Sequence, residues 1–118
     1  MIENEDILLL ETYLAEHKLQ KGDLLQVSTE HVTRAGYFLG TTETAYTLKR
    51  REIGGLKQCP GGLSLLIAAR QRNLDKHTKD PLAGNIPHIT GLSLETWSKL
   101  ENVLVRDIIK LNKLVPVQ

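Results

Sequence analysis

The pattern of apolar positions predicts a helix at the start of the chain. Ile7, Leu10 and Leu14 recur at intervals of three and four, the spacing that places side chains on one face of a helix. Asn4 fits the N-cap position, and the two acids after it suit the first turn, where negative charge complements the helix dipole. We therefore predict a first helix that begins after Asn4 and ends at Gly22.

Two shorter elements are predicted next. The stretch DLLQVS is apolar and contains Val27, which favours a brief strand. A cap at Ser28 or Thr29, with Val32 and Ala35 at helical spacing, then favours a second helix. This second helix would run to Gly40 and contain Gly36, which weakens it.

A third helix is predicted after Gly40. Thr41 or Thr42 can cap it, and Ala45 and Leu48 fall on its inner face. Its outer face is polar and ends in three successive cations, before a Gly-Gly pair terminates the pattern.

A β-hairpin is predicted around the sequence PGG. Two apolar runs, LKQC and LSLLIAAR, flank this turn, and Leu63, Leu65 and Ile67 alternate on one face of the second run. The second run can also continue as a helix through Ala68 and Ala69, and the pattern leaves that boundary open.

A polar segment and a long helix are predicted for the rest of the chain. Residues 71–91 are broken by two prolines and two glycines, which predicts a functional loop or an arm. After a cap at Ser93, apolar residues step by three or four along roughly twenty residues, or about 30 Å of helix. So much apolar surface on one helix favours a homodimer. The dimer-interface candidates are Trp97, Leu100, Leu104, Ile108 and Leu111.

Length and composition favour a single domain. The chain has 118 residues, of which 41% are hydrophobic and 25% are charged, enough for a core without disulfides or metal. Acids near the N-terminus and a short apolar run there argue against an export signal and a membrane span. The single cysteine, Cys59, rules out an internal disulfide and fits a reducing compartment. We expect a cytoplasmic protein.

The formal net charge of +1 conceals an uneven distribution. Residues 1–30 hold seven acids against two cations, a net charge of −5. Residues 49–79 hold eight cations against two acids, a net charge of +6. A local basic segment suits contact with a polyanion, although a solvated basic surface explains the same count.

No motif predicts an enzyme. The four histidines, His17, His31, His77 and His88, include no pair at metal-ligand spacing on a helix. The two Gly-Gly pairs lack the spacing of a phosphate-binding loop. We therefore expect no catalytic residues, no metal and no cofactor.

Three blocks of sequence carry a resemblance to a known superfamily. They are STEHVTRAGYFLG, TTETAYTLKRREIGGL and KQCPGGLSLLI, in the order supporting helix, recognition helix and wing. In this order the chain resembles the winged helix-turn-helix domain of bacterial transcription regulators. The resemblance implies a mainly α fold with a small β-hairpin. It divides the chain into a winged-helix-like domain at 1–70, a loop or arm at 71–92 and a C-terminal helix at 93–118.

The resemblance also implies a function. The protein would bind duplex DNA sequence-specifically as a dimeric transcriptional regulator, or serve a plasmid or phage in replication or partition. The base-contact candidates on the recognition helix are Thr42, Glu43, Tyr46, Thr47 and Arg50. The phosphate-contact candidates are Lys49, Arg51, Lys57, Arg70 and Arg72.

A second interpretation treats residues 22–67 as strands. Threonine and tyrosine favour sheet, and GYFLG with TAYTLK can form two halves of a bent hairpin. This interpretation predicts a small SH3-like or Sm-like β-barrel flanked by helices, which would bind RNA or protein segments. A further alternative is an interaction module in which the helix containing Trp97 binds a different protein.

Overall fold

The structure is a computed structural model that describes residues 4–44, 62–69, 78–90, 92, 96 and 99–115. It contains one α-helix, α1, at Asn4–His17. A 3-10 helix spans Val105–Asp107. The strands are β1 Leu24–Ser28, β2 Thr33–Thr44, β3 Gly62–Ala68, β4 Thr78–Ala83, β5 Ile86–Ile89, β6 Glu101–Leu104 and β7 Lys110–Leu114.

All seven described strands belong to one sheet. Five of them pair antiparallel in the order β7-β1-β2-β3-β6. The β4–β5 hairpin joins through a parallel contact between β5 and β2 at the pair His88 and Thr41. The C-terminal strands therefore pair with β1 and β3, far away in sequence.

The twelve-residue strand β2 organises this sheet. Its first half pairs with β1, and the half from Tyr37 onward pairs with β3. The register with β3 shifts between Phe38 and Gly40, where a β-bulge bends the strand. Gly40 has a φ of 142°, and a side chain there would collide with the Pro87 carbonyl oxygen. The glycine thus permits β5 to lie against the bend.

The main core lies between α1 and one face of the sheet. α1 contacts β3, β4, β7 and the 3-10 helix. Its buried Leu10 packs with residues of β1, β2, β3, β6 and β7, and Tyr13 and Leu14 pack at the edge of the same cluster. The buried sheet and loop members of this core are Leu19, Leu25, Val27, Phe38, Leu63, Leu65, Ile67, Ile86, Val103, Val105, Ile108 and Leu111.

A smaller core covers the opposite face of β2 and β3. Leu39, Leu66, Ala68 and Ile89 are buried there, with Leu92 and Leu100 packed against them. As a result every residue of β3 is buried. Leu63, Leu65 and Ile67 do share one face, as predicted, but the residues between them are equally buried.

The prediction of a mainly α, winged-helix fold is wrong. The first helix and the first strand are confirmed, and the helix ends at His17 rather than Gly22. The predicted second helix is instead the start of β2. Residues 36 and 38–42 are all buried, so both faces of this strand are covered. An unbroken buried run carries no period that distinguishes strand from helix.

The predicted C-terminal helix is also wrong. Thr96 is helical, but residues 101–114 form β6, the 3-10 helix and β7. Ile108 and Leu111 met the helical spacing, and Val103 and Val105 added apolar surface to the predicted helix. All four are nevertheless buried in the main core from extended or 3-10 backbone. β-branched residues at three of these four positions fit strands better than helix.

Two other regions differ from expectation. The segment 71–91, predicted to be a loop, contains strands β4 and β5. The region treated as strands in the second interpretation contains β1, β2 and β3 among its described residues. The described fold is therefore mostly β, a seven-stranded sheet with α1 packed against it.

Candidate binding cleft

An open cleft of about 330 Å³ lies at one end of the sheet. One wall is the turn between β1 and β2, and the other is the 3-10 helix with Ile109, the residue before β7. The lining residues are Thr29, Glu30, His31, Arg106, Asp107 and Ile109. This volume is at the lower end of the range of ligand clefts, roughly 300–1,000 Å³, which suits one or two side chains.

Internal hydrogen bonds hold the first wall. The Thr29 amide donates to the Val32 carbonyl at 2.8 Å, and the amides of His31 and Val32 donate to the Thr29 hydroxyl at 3.3 Å each. Below the turn, the hydroxyls of Ser28 and Thr33 lie 3.0 Å apart. The backbone of this turn is therefore fixed while the side chains of Glu30 and His31 extend into solvent, 85% and 90% exposed.

An ion pair with α1 holds the second wall. Arg106 Nη2 donates to Asp6 Oδ2 at 2.8 Å, and the Asp6 side chain is only 3% exposed. The Leu63 amide donates to the same carboxylate oxygen at 3.4 Å. A Cβ atom at Gly62 would lie 2.5 Å from Arg106 Nη2, so a side chain there would displace the guanidinium from its present position.

The two walls are joined at the base of the cleft. The Ile109 amide donates to the Ser28 carbonyl at 2.9 Å, and the β1–β7 ladder continues from the pair Ser28 and Lys110. The Ile109 side chain itself is 69% exposed, and Val32 on the opposite turn is 39% exposed. The cleft is thus preformed, with apolar side chains accessible beside its charged lining.

The positive charge in the cleft has an ion-pair partner in the core, whereas its two carboxylates do not. The charge of Arg106 is compensated by the buried Asp6. Glu30 Oε2 lies 4.0 Å from His31 Nε2, the one ion-pair contact it makes with a described residue. Asp107 makes no ion pair with any residue that the structure describes. Glu30 and Asp107 therefore give the cleft an acidic character.

One tyrosine lies behind the second wall. The Tyr13 hydroxyl donates to the Ile108 carbonyl at 3.2 Å and so ties α1 to the segment between the 3-10 helix and β7. Burial, with a further contribution from the Glu16 carboxylate, raises the pKa of Tyr13 above its ordinary value of 10.0.

The predicted base-contact residues that the structure describes lie on a strand. Thr42 is 5% exposed on β2, and its hydroxyl donates to the Ile89 carbonyl at 2.8 Å. Glu43 is exposed on β2 and lies opposite Leu63 of β3. Thr42 thus serves the packing of β5, and neither residue belongs to a recognition helix.

The other predicted nucleic-acid contacts lie outside the described residues. These are Tyr46, Thr47, Lys49, Arg50, Arg51, Lys57, Arg70 and Arg72. Thr44, where the chain enters residues 45–61, pairs with Gly62, and Ala68, where it leaves β3, pairs with Tyr37. Seven residues of strand separate these two ends by about 20 Å. Lys79 lies on β4, and the other basic residues of 49–79 belong to two connections that start from opposite ends of β3.

The predicted dimer-interface residues do not form one surface. Ile108 and Leu111 are buried in the main core, Leu104 is half-buried on β6, and Leu100 packs in the smaller core. Trp97 lies outside the described residues. The apolar residues that suggested an interface are, where described, covered largely by the chain itself.

The cleft residues were not predicted from the sequence. Ser28 and Thr29 drew attention only as helix caps, and His31 only as one of four scattered histidines. The available signal was the polar run STEH between two apolar stretches, which equally fits a β-turn. Arg106 and Asp107 interrupt an apolar run, which is unusual in a buried helix and could have indicated a turn.

Within the described ranges, no group of three or more histidine, cysteine, aspartate or glutamate side chains could hold a metal ion. No helix among those residues has the length and apolarity needed to cross a membrane. No protein-family model, curated protein or solved structure matches the chain, so no relative indicates its activity.

Proposed function

We propose that the protein is a binding module that holds a polypeptide segment of another protein in the cleft between the β1–β2 turn and the 3-10 helix. The observation that carries this proposal is that hydrogen bonds and an ion pair fix both walls of the cleft, while side chains of its lining remain exposed to solvent. Thr29 fixes one wall, Asp6 holds Arg106 in the other, and Ser28 joins the two. Preorganised walls reduce the entropy lost on binding.

The lining favours polypeptide over nucleic acid. Glu30 and Asp107 would repel phosphates, whereas exposed Ile109 gives an apolar contact of the kind that a peptide side chain can use. Duplex-DNA binding through residues 49–79 stays a prediction from sequence. The predicted mechanism required a recognition helix containing Thr42, but Thr42 lies on strand β2.

The proposal includes a cytoplasmic location. The single cysteine supports it. A binding role without catalysis is supported by the absence of a catalytic motif in the sequence.

Selection from a random peptide library tests the proposal. The full chain would be immobilised and exposed to phage that display random twelve-residue peptides, with counter-selection on Ile109→Ser. We expect peptides with a Kd on the order of tens of micromolar, because the contact is small. Their addition should shift the amide NMR signals of residues 29–32 and 106–109. Matched selection on Leu8→Ser, which removes a 61% exposed leucine of α1, should yield the same peptides as the wild type.

Two results would overturn the proposal. One is a failure to enrich any peptide on the wild type over Ile109→Ser. The other is enrichment of peptides whose NMR shifts lie away from the cleft. Binding of RNA or duplex DNA that shifts the same cleft signals would assign the site to nucleic acid instead.

A further inference from the structure

The charges of the cleft restrict the class of segment that it can hold. Among the described residues of the lining, Arg106 is the only arginine or lysine, and Asp6 holds its guanidinium at 2.8 Å from within the core. The two carboxylates, Glu30 and Asp107, come from opposite walls. A bound side chain therefore meets negative charge from both sides.

The apolar part of the cleft adds a second requirement. Ile109 follows Asp107 by two residues and is 69% exposed, so an apolar contact lies next to the acidic one. A volume of about 330 Å³ accommodates short stretches only.

We propose that the cleft selects a segment in which a lysine or arginine lies next to an aliphatic residue, supplied by a different protein. The cation would be placed between Glu30 and Asp107, and the aliphatic side chain would lie on Ile109. This inference rests on the proposed function, because it specifies what the same cleft binds. The charge complementarity of two carboxylates without a described lysine or arginine partner favours this occupant over an acidic or a neutral one.

The peptides selected on the wild type provide the first test. Lysine and arginine next to leucine, isoleucine or valine should be enriched over the unselected library. In the tightest peptide, replacement of its cation by glutamine should weaken binding about threefold to tenfold, because two exposed charge pairs are lost together and each contributes modestly. Raising the salt concentration to about 0.5 M should weaken the parent peptide more than the glutamine peptide.

Variants of the protein provide the second test. Glu30→Gln with Asp107→Asn should bind the parent and the glutamine peptide equally. Glu11→Gln removes an exposed carboxylate of α1 outside the cleft lining and should keep the wild-type preference. Both variants change surface residues, so both are expected to fold, which a thermal melt would verify.

The possible failures are distinguishable. Selected peptides that shift cleft signals but lack cations, or that keep their preference in the double variant, overturn this inference and leave the proposed function standing. Absence of any selected peptide overturns both. Self-association of the wild type that the double variant abolishes would assign the cleft to a second copy of the chain, against the inference of a different protein.

Discussion

Arg106 and Asp6 form an ion pair at 2.8 Å across one hundred residues of sequence. The pair joins α1 to the 3-10 helix that precedes the last strand. Because the aspartate is 3% exposed and the arginine 30%, one end of the pair is in the core and the other reaches the cleft. The helix therefore orients a residue of the proposed binding site.

Breaking this pair should destabilise the fold. We expect Asp6→Ala or Arg106→Ala to lower the free energy of unfolding by about 3 kcal/mol, since removal of one partner leaves the other charge uncompensated. The double variant should cost less than the sum of the single ones, as measured by urea denaturation. Glu101→Gln is the matched control, because its pair with Arg34 is exposed and should contribute less than about 1 kcal/mol. Strictly additive effects of the two substitutions would contradict the pairing.

Gly62→Ala should be destabilising because of this same pair. A Cβ atom there would lie 2.5 Å from Arg106 Nη2 and 3.1 Å from Asp6 Oδ2. We expect a loss of about 1–3 kcal/mol, the usual range for overpacking. In an Arg106→Ala background the loss should be smaller, because the guanidinium no longer occupies the space. An equal loss in both backgrounds would show that the cost has another origin.

The burial of Tyr13 predicts a dependence of stability on pH. Its pKa is raised in the folded protein, so the unfolded chain loses this proton first as the pH increases. The unfolded state then binds fewer protons, and stability falls as the pH rises above about 10. Tyr13→Phe should be less stable than the wild type at pH 7 by about 1 kcal/mol, through the lost hydrogen bond to Ile108. Denaturation between pH 8 and 11 should show this difference shrinking, and a constant difference would contradict the raised pKa.

Leu111 and Leu114 offer a matched comparison on β7. Leu111 is 4% exposed in the main core, whereas Leu114 is 38% exposed. We expect Leu111→Ala to lower the free energy of unfolding by about 2–5 kcal/mol. Leu114→Ala should cost less than about 1 kcal/mol. Similar losses of unfolding free energy at both positions would contradict the placement of Leu111 in the core and of Leu114 at the surface of β7.

Thr42 provides a test of β2. Thr42→Val keeps the shape but removes the hydrogen bond to the Ile89 carbonyl, and should cost about 1–2 kcal/mol. Thr33→Val on the exposed start of the same strand should stay within about 0.5 kcal/mol of the wild type. Amide hydrogen exchange would show the loss at residues of β5 first. An unaffected stability in Thr42→Val would contradict the packing of β5 on β2.

The spacing of apolar residues was enough to predict an element where one side of that element faces solvent. The first helix was predicted because Ile7, Leu10 and Leu14 recur at helical spacing. The acids of its first turn also lie where the helix dipole favours them. β1 was predicted because Leu25 and Val27 alternate with polar residues, and its burial alternates in the same way. The role of Asp6 was missed, since an acid in the first turn already had a local explanation.

The same rules failed where both faces are covered. β2 and β3 are buried from two sides by separate cores, so their apolar residues form runs with no period. At the C-terminus, Leu104, Ile108 and Leu111 step by four and three, as in a helix. Only the pairing of β6 with β3 and of β7 with β1 decides that the chain is extended there. Backbone partners supplied by distant strands outweighed the local helical spacing.

The sequence by itself therefore determined the N-terminal helix, the first strand, the inward residues of β3 and the uneven charge of the chain. The tertiary structure alone decided the sheet order, the bend at Gly40 and the cleft. The physical reason is that these features depend on contacts between residues far apart in sequence: Asp6 with Arg106, and Ser28 with Ile109. No local spacing encodes which distant carboxylate compensates a cation, or which turn will face it across a cleft.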